Sequence, residues 1–463
     1  MPKFESQEHY LASTIPPSAG PGGFSRRGLL KAGAGAGAAL SVSGLLAACG
    51  GSSSGGTAAS STAKGSDSAA PAATGTVSIG SNASDAVPKK AYADLFAAFT
   101  AKTKIETKVN TVDHNTFQEQ ITNYLQGGPD DVFTWFAGYR MRFFASQGLA
   151  GDISDVWDKI GGDFSDAYKK AATGDDGKQY FVPIYNYPWV LMYRKSVFAE
   201  KGYTAPKTLD ELNTLGAQMK QDGLDPISFA DKDGWPAMGT FDILNLRVNG
   251  YDFHVSLMAG KESWEDPKVK KVFDTWKGIL PLHSAGSLGR TWQEGAQAVV
   301  KKTAGMYFLG TFASQQFAGA DLADLDFVAF PEIDPAHGTD SIDAPIDGMM
   351  MSAKPKNADA AKAFLTYLAS AEAENIYLKT DPGDVGANKN VDASAYNDVQ
   401  KKSAEIIGST ANIAQFLDRD TRPDFASTVM IPAIQDFIKN PNDIDGLTNS
   451  IQKQKVSIFA SEG

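Results

Sequence analysis

The chain has 463 residues, a formal net charge of −11, 42% hydrophobic and 10% aromatic residues, and one cysteine. That length and apolar content suit two or three packed domains or two large lobes, and a lone cysteine excludes an internal disulfide framework. The acidic balance argues against nucleic acid as a partner, because such binding rests on neutralising phosphates with Lys and Arg.

Residues 1–48 carry Lys3, Arg26, Arg27 and Lys31 against Glu5 and Glu8, which leaves −13 on the part from Cys49 onward. The stretch SRRGLLKAGAGAGAALSVSGLLAACGG, starting at Ser25, places positive charge before a short apolar run and then small residues. That order is an export signal. Its apolar run is too short and glycine-rich to span a bilayer, which takes roughly 20 apolar residues. The pair Arg26-Arg27 with Leu30 and Lys31 resembles a twin-arginine signal. Leu46-Ala47-Ala48-Cys49 resembles a bacterial lipobox, which implies cleavage before Cys49 and a diacylglycerol on its sulfur. The body is then held at the outer face of the cell membrane by that lipid alone. Residues 50–75 contain no large apolar side chain, so they cannot offset the cost of ordering and read as a flexible Gly/Ser tether.

The folded region is expected from Thr76. Thr76-Val77-Ser78-Ile79 reads as a strand, and Tyr92, Leu95, Phe96 and Phe99 fall on one helical stripe. A second strand is expected over 104–112, a second helix over 117–125 and a buried strand over 131–136. Alternating strands and helices predict an α/β lobe with a largely parallel sheet. Thr208 and Glu211 predict a capping box ahead of Leu212, Leu215 and Met219. Val272, Phe273, Trp276, Ile279 and Leu280 form a further helical face. Asn357 is placed to cap a helix whose stripe is Ala361, Phe364, Leu365 and Leu368.

Catalytic signatures are missing from this sequence. The histidines are scattered and never form HExxH, no GxxxxGK[ST] loop occurs, and 285–289 fails the nucleophile elbow at Ala285. No catalytic residue, metal site or cofactor is therefore expected, although two carboxylates acting as a glycosidase stay open as an alternative. Aromatic side chains instead sit beside amides and charges in loop-like segments such as Trp135–Arg140, Tyr185–Trp189, Asp233–Pro236 and Arg290–Trp292. Ring faces with a few oriented polar groups suit a sugar, whose C–H face packs on a ring while its hydroxyls take hydrogen bonds.

Four stretches in order carry a family resemblance: GGPDDVFTWFAGYRMRFFASQGLAGDIS, GKQYFVPIYNYPWVLMYRKSVFAEKGYTAPKTLDEL, AVVKKTAGMYFLGTF and KPKNADAAKAFLTYLASAEAE. Together the sequence resembles the extracellular solute-binding proteins of ABC importers, in the carbohydrate-binding family that includes maltose-binding protein. The resemblance implies an α/β, two-lobe periplasmic-binding-protein fold with the ligand cleft between lobes. The lobes would comprise 76–185 with 330–380 and 186–329 with 381–463. It implies a monomer with no enzymatic activity, a carbohydrate ligand, and ABC permease subunits served by a separate ATPase. The same fold with a non-sugar solute is the other alternative. By the same resemblance, the sugar-binding candidates are Asn82 and Ser84 after the first strand, then Trp135, Tyr139 and Arg140. Asn186, Tyr187 and Trp189 follow at the first crossing, with Trp235, Trp292 and Phe312 as ring platforms. Asp347 and Gly348 stand where relatives have Gly-Gly, and Arg422 lies in a C-terminal segment with Asp424 and Phe425.

Overall fold

A computed structural model describes residues 74–460; the expected signal, lipidation site and most of the tether lie outside the described residues. Among the described residues twelve strands form two sheets and a short ribbon. They are β1 (Thr76–Ser81), β2 (Glu106–Thr111), β3 (Val132–Phe136), β4 (Phe181–Asn186), β5 (Trp189–Arg194), β6 (Asp225–Ser228), β7 (Ala304–Gly310), β8 (Leu325–Val328), β9 (Ser341–Asp343), β10 (Ile346–Met351), β11 (Val385–Gly386) and β12 (Asn412–Ala414). The first sheet runs β11-β4-β10-β3-β1-β2 and the second β6-β7-β5-β8, while β12 pairs with β9. Each sheet is the centre of one α/β lobe.

The expected strands and helices of the first lobe are present with shifted ends. Helix α1 (Ala86–Thr103) buries Tyr92, Leu95, Phe96 and Phe99. Phe99 meets Phe364 edge-on at 5.1 Å, and Tyr92 meets Tyr377 at 4.9 Å. Rings of this size contribute roughly 1.5–3 kcal/mol each on burial. The helix stops at Lys104, whose φ of 66° breaks the repeat, so β2 begins two residues later than expected. Helix α2 (His114–Gly127) is capped by Asp113, which accepts from the Thr116 N–H at 3.0 Å.

The sheet is mixed rather than largely parallel. β1 runs parallel to β2 and β3, but β10 lies antiparallel between β3 and β4, and β11 is antiparallel to β4. The cause is connectivity: β10 returns from the other lobe and enters the sheet from the opposite end, while β11 follows two helices, Ala358–Leu368 and Ala371–Thr380, that pack on this same lobe. Val385 and Gly386, expected in the second lobe with 381–463, pair with Asn186 and Tyr185 of the first sheet. The capping box at Thr208 is also altered. Thr208 accepts from the Glu211 N–H, but the Glu211 carboxylate reaches the Lys207 N–H instead, at 2.7 Å. Asn357 caps its helix as expected, accepting from the Ala360 N–H at 3.2 Å.

The chain passes between the sheets at Tyr187–Pro188, between β8 and β10, and again after β11. These crossings position the site, since each delivers side chains to the gap between the lobes. Arg194, at the end of β5, is buried and held by Asp321 at 2.6 Å, Asp324 at 2.8 Å and the Val300 carbonyl at 2.7 Å. That cluster ties β5 to the short helix Ala320–Asp324 that precedes β8. Helix Pro236–Asn249 is buried on nearly every side, which explains why no amphipathic stripe announced it in the sequence.

Candidate functional site

A pocket of about 110 Å³ lies between the two sheets and is lined from both. The first lobe supplies the loop after β1, where the strand's hydrogen bonds end and the chain turns into α1. Thr134 on β3 pins this loop: its hydroxyl accepts from the Asn82 N–H and donates to Asn82 Oδ1, both at 2.9 Å. Ser84 Oγ accepts from the His114 N–H at 3.1 Å. His114 faces the pocket as a neutral imidazole, with burial and then the Arg419 charge pulling its pKa down to about 4.

The second lobe supplies rings. Trp189 opens β5 and is 2% exposed. It stacks on Phe416 at 4.9 Å and meets Trp235 edge-on at 6.4 Å. Gly239 lets the buried helix approach it, since a Cβ there would run into the Trp189 ring. Phe312 contacts Tyr187 at 5.1 Å, Trp292 at 5.2 Å and Trp235 at 6.0 Å. The result is an apolar wall with Trp235 and Phe312 only partly buried, so their faces are available.

The polar wall is a charge cluster on the crossings. Arg419 Nη1 donates to Asp347 Oδ1 at 2.6 Å, and its guanidinium lies 4.0 Å over the Phe136 ring. Burial works against the Arg419 charge, but Asp347, Tyr187 and Asp418 outweigh it and hold its pKa above the ordinary value. Burial raises Asp347 to about 6, with Arg419 pulling it the other way. Across the mouth, Gln293 Nε2 of the second lobe donates to Asp85 Oδ1 of the first at 3.1 Å. Asp233 and Asn115 form a second polar contact between the lobes. Among the described residues no group of three His, Cys, Asp or Glu side chains is placed to hold a metal.

Comparison with known proteins decides what this cleft belongs to. Residues 82–375 match the family of bacterial extracellular solute-binding proteins. The chain belongs to that family. A solved bacterial solute receptor, AcbH, is 51% identical with a TM-score of 0.82, covering 83% of this chain and 99% of that one. The diacetylchitobiose-binding protein DasA of Streptomyces coelicolor is 27% identical over 80% of this chain and 83% of its own length. An uncharacterised ABC transporter extracellular-binding protein of Pyrococcus horikoshii is 27% identical over 69% of this chain and 70% of its own. The acarbose-binding GacH receptor of Streptomyces glaucescens shares the fold at 17% identity and a TM-score of 0.67. The fold is the two-lobe, maltose-binding-protein type, and among the described residues no helix is long and apolar enough to cross a membrane.

In this solute-binding protein the pocket gathers Asn82, Ser84, Tyr187, Trp189, Trp235, Trp292, Phe312 and Asp347 from the expected set. The remaining candidates stand behind or away from it. Trp135 is 1% exposed and packs on Phe144 at 5.6 Å. Arg140 lies 5.3 Å over Trp135, donates to Gln118 Oε1 at 2.5 Å and stands 3.5 Å from Asp418; it braces two lining residues from outside. Tyr139 stacks on Phe143 at 6.5 Å. Asn186 is buried at the end of β4. Gly348 sits at a register shift in β10, where a Cβ would overlap the Val182 carbonyl, so it shapes the strand instead of touching the pocket. Arg422 pairs with Asp424 at 2.8 Å and lies over Phe143 and Phe459. Absent from the expected set are Tyr185, Tyr377, Asp384, Phe416, Asp418 and Arg419, all of which line the pocket. Arg419 lies three residues before the chosen Arg422, and the run Asp418-Arg419-Asp420 was the available signal for it.

Proposed function

We propose that this protein captures a single hexopyranose in the interlobe pocket, with β-D-galactopyranose the first candidate, and delivers it to an ABC permease driven by a separate ATPase. The observation that carries this reading is the 51% identity, over 99% of its chain, to AcbH, whose reported substrate preference is exclusively β-D-galactopyranose. The lining supports it: partly buried rings and a few oriented polar side chains from both lobes converge on one pocket, which suits a small sugar.

The residues divide the work. Trp235 and Phe312 offer ring faces to the sugar's C–H face. Asp347, held by Arg419, and the polar loop from Asn82 to Asp85 take its hydroxyls. A sugar touching both lobes binds the closed form better than an open one and shifts the population by that difference. Binding involves no covalent step, and the protein acts as a monomer. The lobes divide near 76–186 with 346–386 and near 187–330 with 415–460. Lipid on Cys49, outside the described residues, keeps the receptor at the outer face of the membrane.

The test is calorimetry and thermal shift on the purified protein against mono- and oligosaccharides, with the sugar recovered and analysed. A raised melting temperature with galactose and unaltered sugar supports the proposal. Progressive cleavage favours a hydrolase, and selective binding of a longer oligosaccharide removes the single-hexose reading. For anchoring, Cys49→Ser is expected to move the protein from membrane to soluble fractions with sugar affinity unchanged; retention on membranes defeats the lipid assignment.

A further inference from the structure

Carboxyl groups outnumber cations around the pocket. Asp85, Asp347, Asp384 and Asp418 line it, while Arg419 is the one Lys or Arg among the lining residues. Arg419 is committed, donating to Asp347 at 2.6 Å and standing 3.7 Å from Asp418. Asp384 therefore lacks a cation. It is 2% exposed, and its Oδ1 has no hydrogen-bond partner among the described residues.

Asp381 stands beside it, bonded to it through the side chains. Both oxygens of Asp381 already accept, Oδ2 from Gln315 Nε2 at 2.8 Å and Oδ1 from the Gly383 N–H at 3.0 Å. Asp381 is thus built to carry the charge of the pair. An ionised Asp384 would be a second buried anion beside it, with a desolvation cost of several kcal/mol and no opposite charge to offset it. One proton removes both penalties.

We propose that Asp384 enters the binding site as a neutral carboxylic acid, hydrogen-bonded to Asp381, and presents an uncharged carboxyl edge to a sugar hydroxyl. A carboxylate can only accept, whereas the neutral acid both donates and accepts. Burial first, then Asp381 and Asp347, push Asp384 well above the ordinary carboxylate range. The other ionisable groups facing it are Tyr377, which acts in the lowering direction, and Tyr396. Tyr185 and Tyr187 on β4 and the following turn, and Tyr92 on α1, complete the surroundings.

This assignment rests on the sugar reading for its binding test but not for its spectroscopic one. Infrared spectra of the full-length protein at pH 8 should show a protonated-carboxyl C=O band that Asp384→Asn diminishes; an unchanged band overturns the assignment. Galactose calorimetry from pH 6 to 10 should show affinity falling by tenfold or more at the alkaline end in the native protein, about 1.4 kcal/mol. Asp384→Asn should abolish that fall whatever its affinity at pH 7. Asp381→Asn, which places an amide donor against Asp384, should move the fall to lower pH. An alkaline fall of the same size in Asp384→Asn overturns the proposal. If no sugar binds yet the infrared band is lost in the variant, the sugar reading fails and the protonated Asp384 stands.

Discussion

Trp189 and Trp235 meet edge-on at 6.4 Å but are held differently, and that difference separates affinity from stability. Trp235 is partly exposed at the start of a helix, whereas Trp189 is 2% exposed and packed on Phe416. Trp235→Ala is expected to weaken sugar binding about two- to tenfold, from an aromatic contact of roughly 0.5–1.5 kcal/mol, with little change in melting. Trp189→Ala removes a core ring, and a loss of about 3–5 kcal/mol in unfolding free energy is expected. Calorimetry and denaturant titration of the two variants distinguish these outcomes; equal destabilisation would show that Trp235 is core as well. The same contrast explains which site residues were legible. Rings announce themselves in loop-like text, so Tyr187, Trp189, Trp235, Trp292 and Phe312 could all be picked out. Asp384 could not, because its role comes from burial, and Arg419 was marked only by the charged run 418–420, its partner Asp347 lying 72 residues away. Trp135 and Arg140 looked equivalent to the true lining residues because sequence does not say which side of a strand end faces the cleft.

At the scale of an element, β10 shows how a strand from one crossing aims a site residue. Its register shifts between Asp347 and Gly348 against β4, turning Asp347 toward the pocket while Gly348 packs on the β4 backbone. Gly348→Ala would drive a methyl into the Val182 carbonyl and the Phe181 ring. Overpacking of this kind costs typically 1–3 kcal/mol, and the collision is with backbone, so the upper part of that range is expected. Thermal melting measures the loss, and a melting temperature equal to that of the native protein would show that β10 can slide. Local periodicity was enough to find α1, α2, the first three strands and the Asn357-capped helix. It was not enough for sheet direction or for the reciprocal bond at Thr208, since both depend on neighbours remote in sequence. Helix Pro236–Asn249 escaped for the opposite reason: burial all round leaves no stripe to read.

For the whole molecule, buried ionisable groups set how stability responds to pH. Burial pulls His114 down to about 4 and His254 and His283 to about 3. Each contributes stability above pH ~6.5 that is lost as pH falls toward those values. Carboxyls act oppositely. Burial lifts Asp231 to about 7 and Asp347, Asp381 and Asp420 to about 6, and it raises Glu374, Asp242, Asp343 and Asp384 further. Their stabilisation is complete below the unfolded carboxyl value and fades as pH rises through the folded ones, at about 1.4 kcal/mol per pH unit for each proton. The carboxyls outnumber the histidines, so the protein is expected to melt higher at pH 5 than at pH 7.5. Differential scanning calorimetry at the two pH values checks this, and a lower melting temperature at pH 5 would mean that the histidines dominate. The crossings carry a separate consequence. Phe416, Asp418 and Arg419 line the pocket and also belong to a segment that joins the lobes, with the Leu417 N–H bonded to Asp242 of the second lobe at 2.7 Å. A change there that retunes which sugar fits is therefore expected to alter how readily the lobes swing, so ligand preference and closure share one segment of chain.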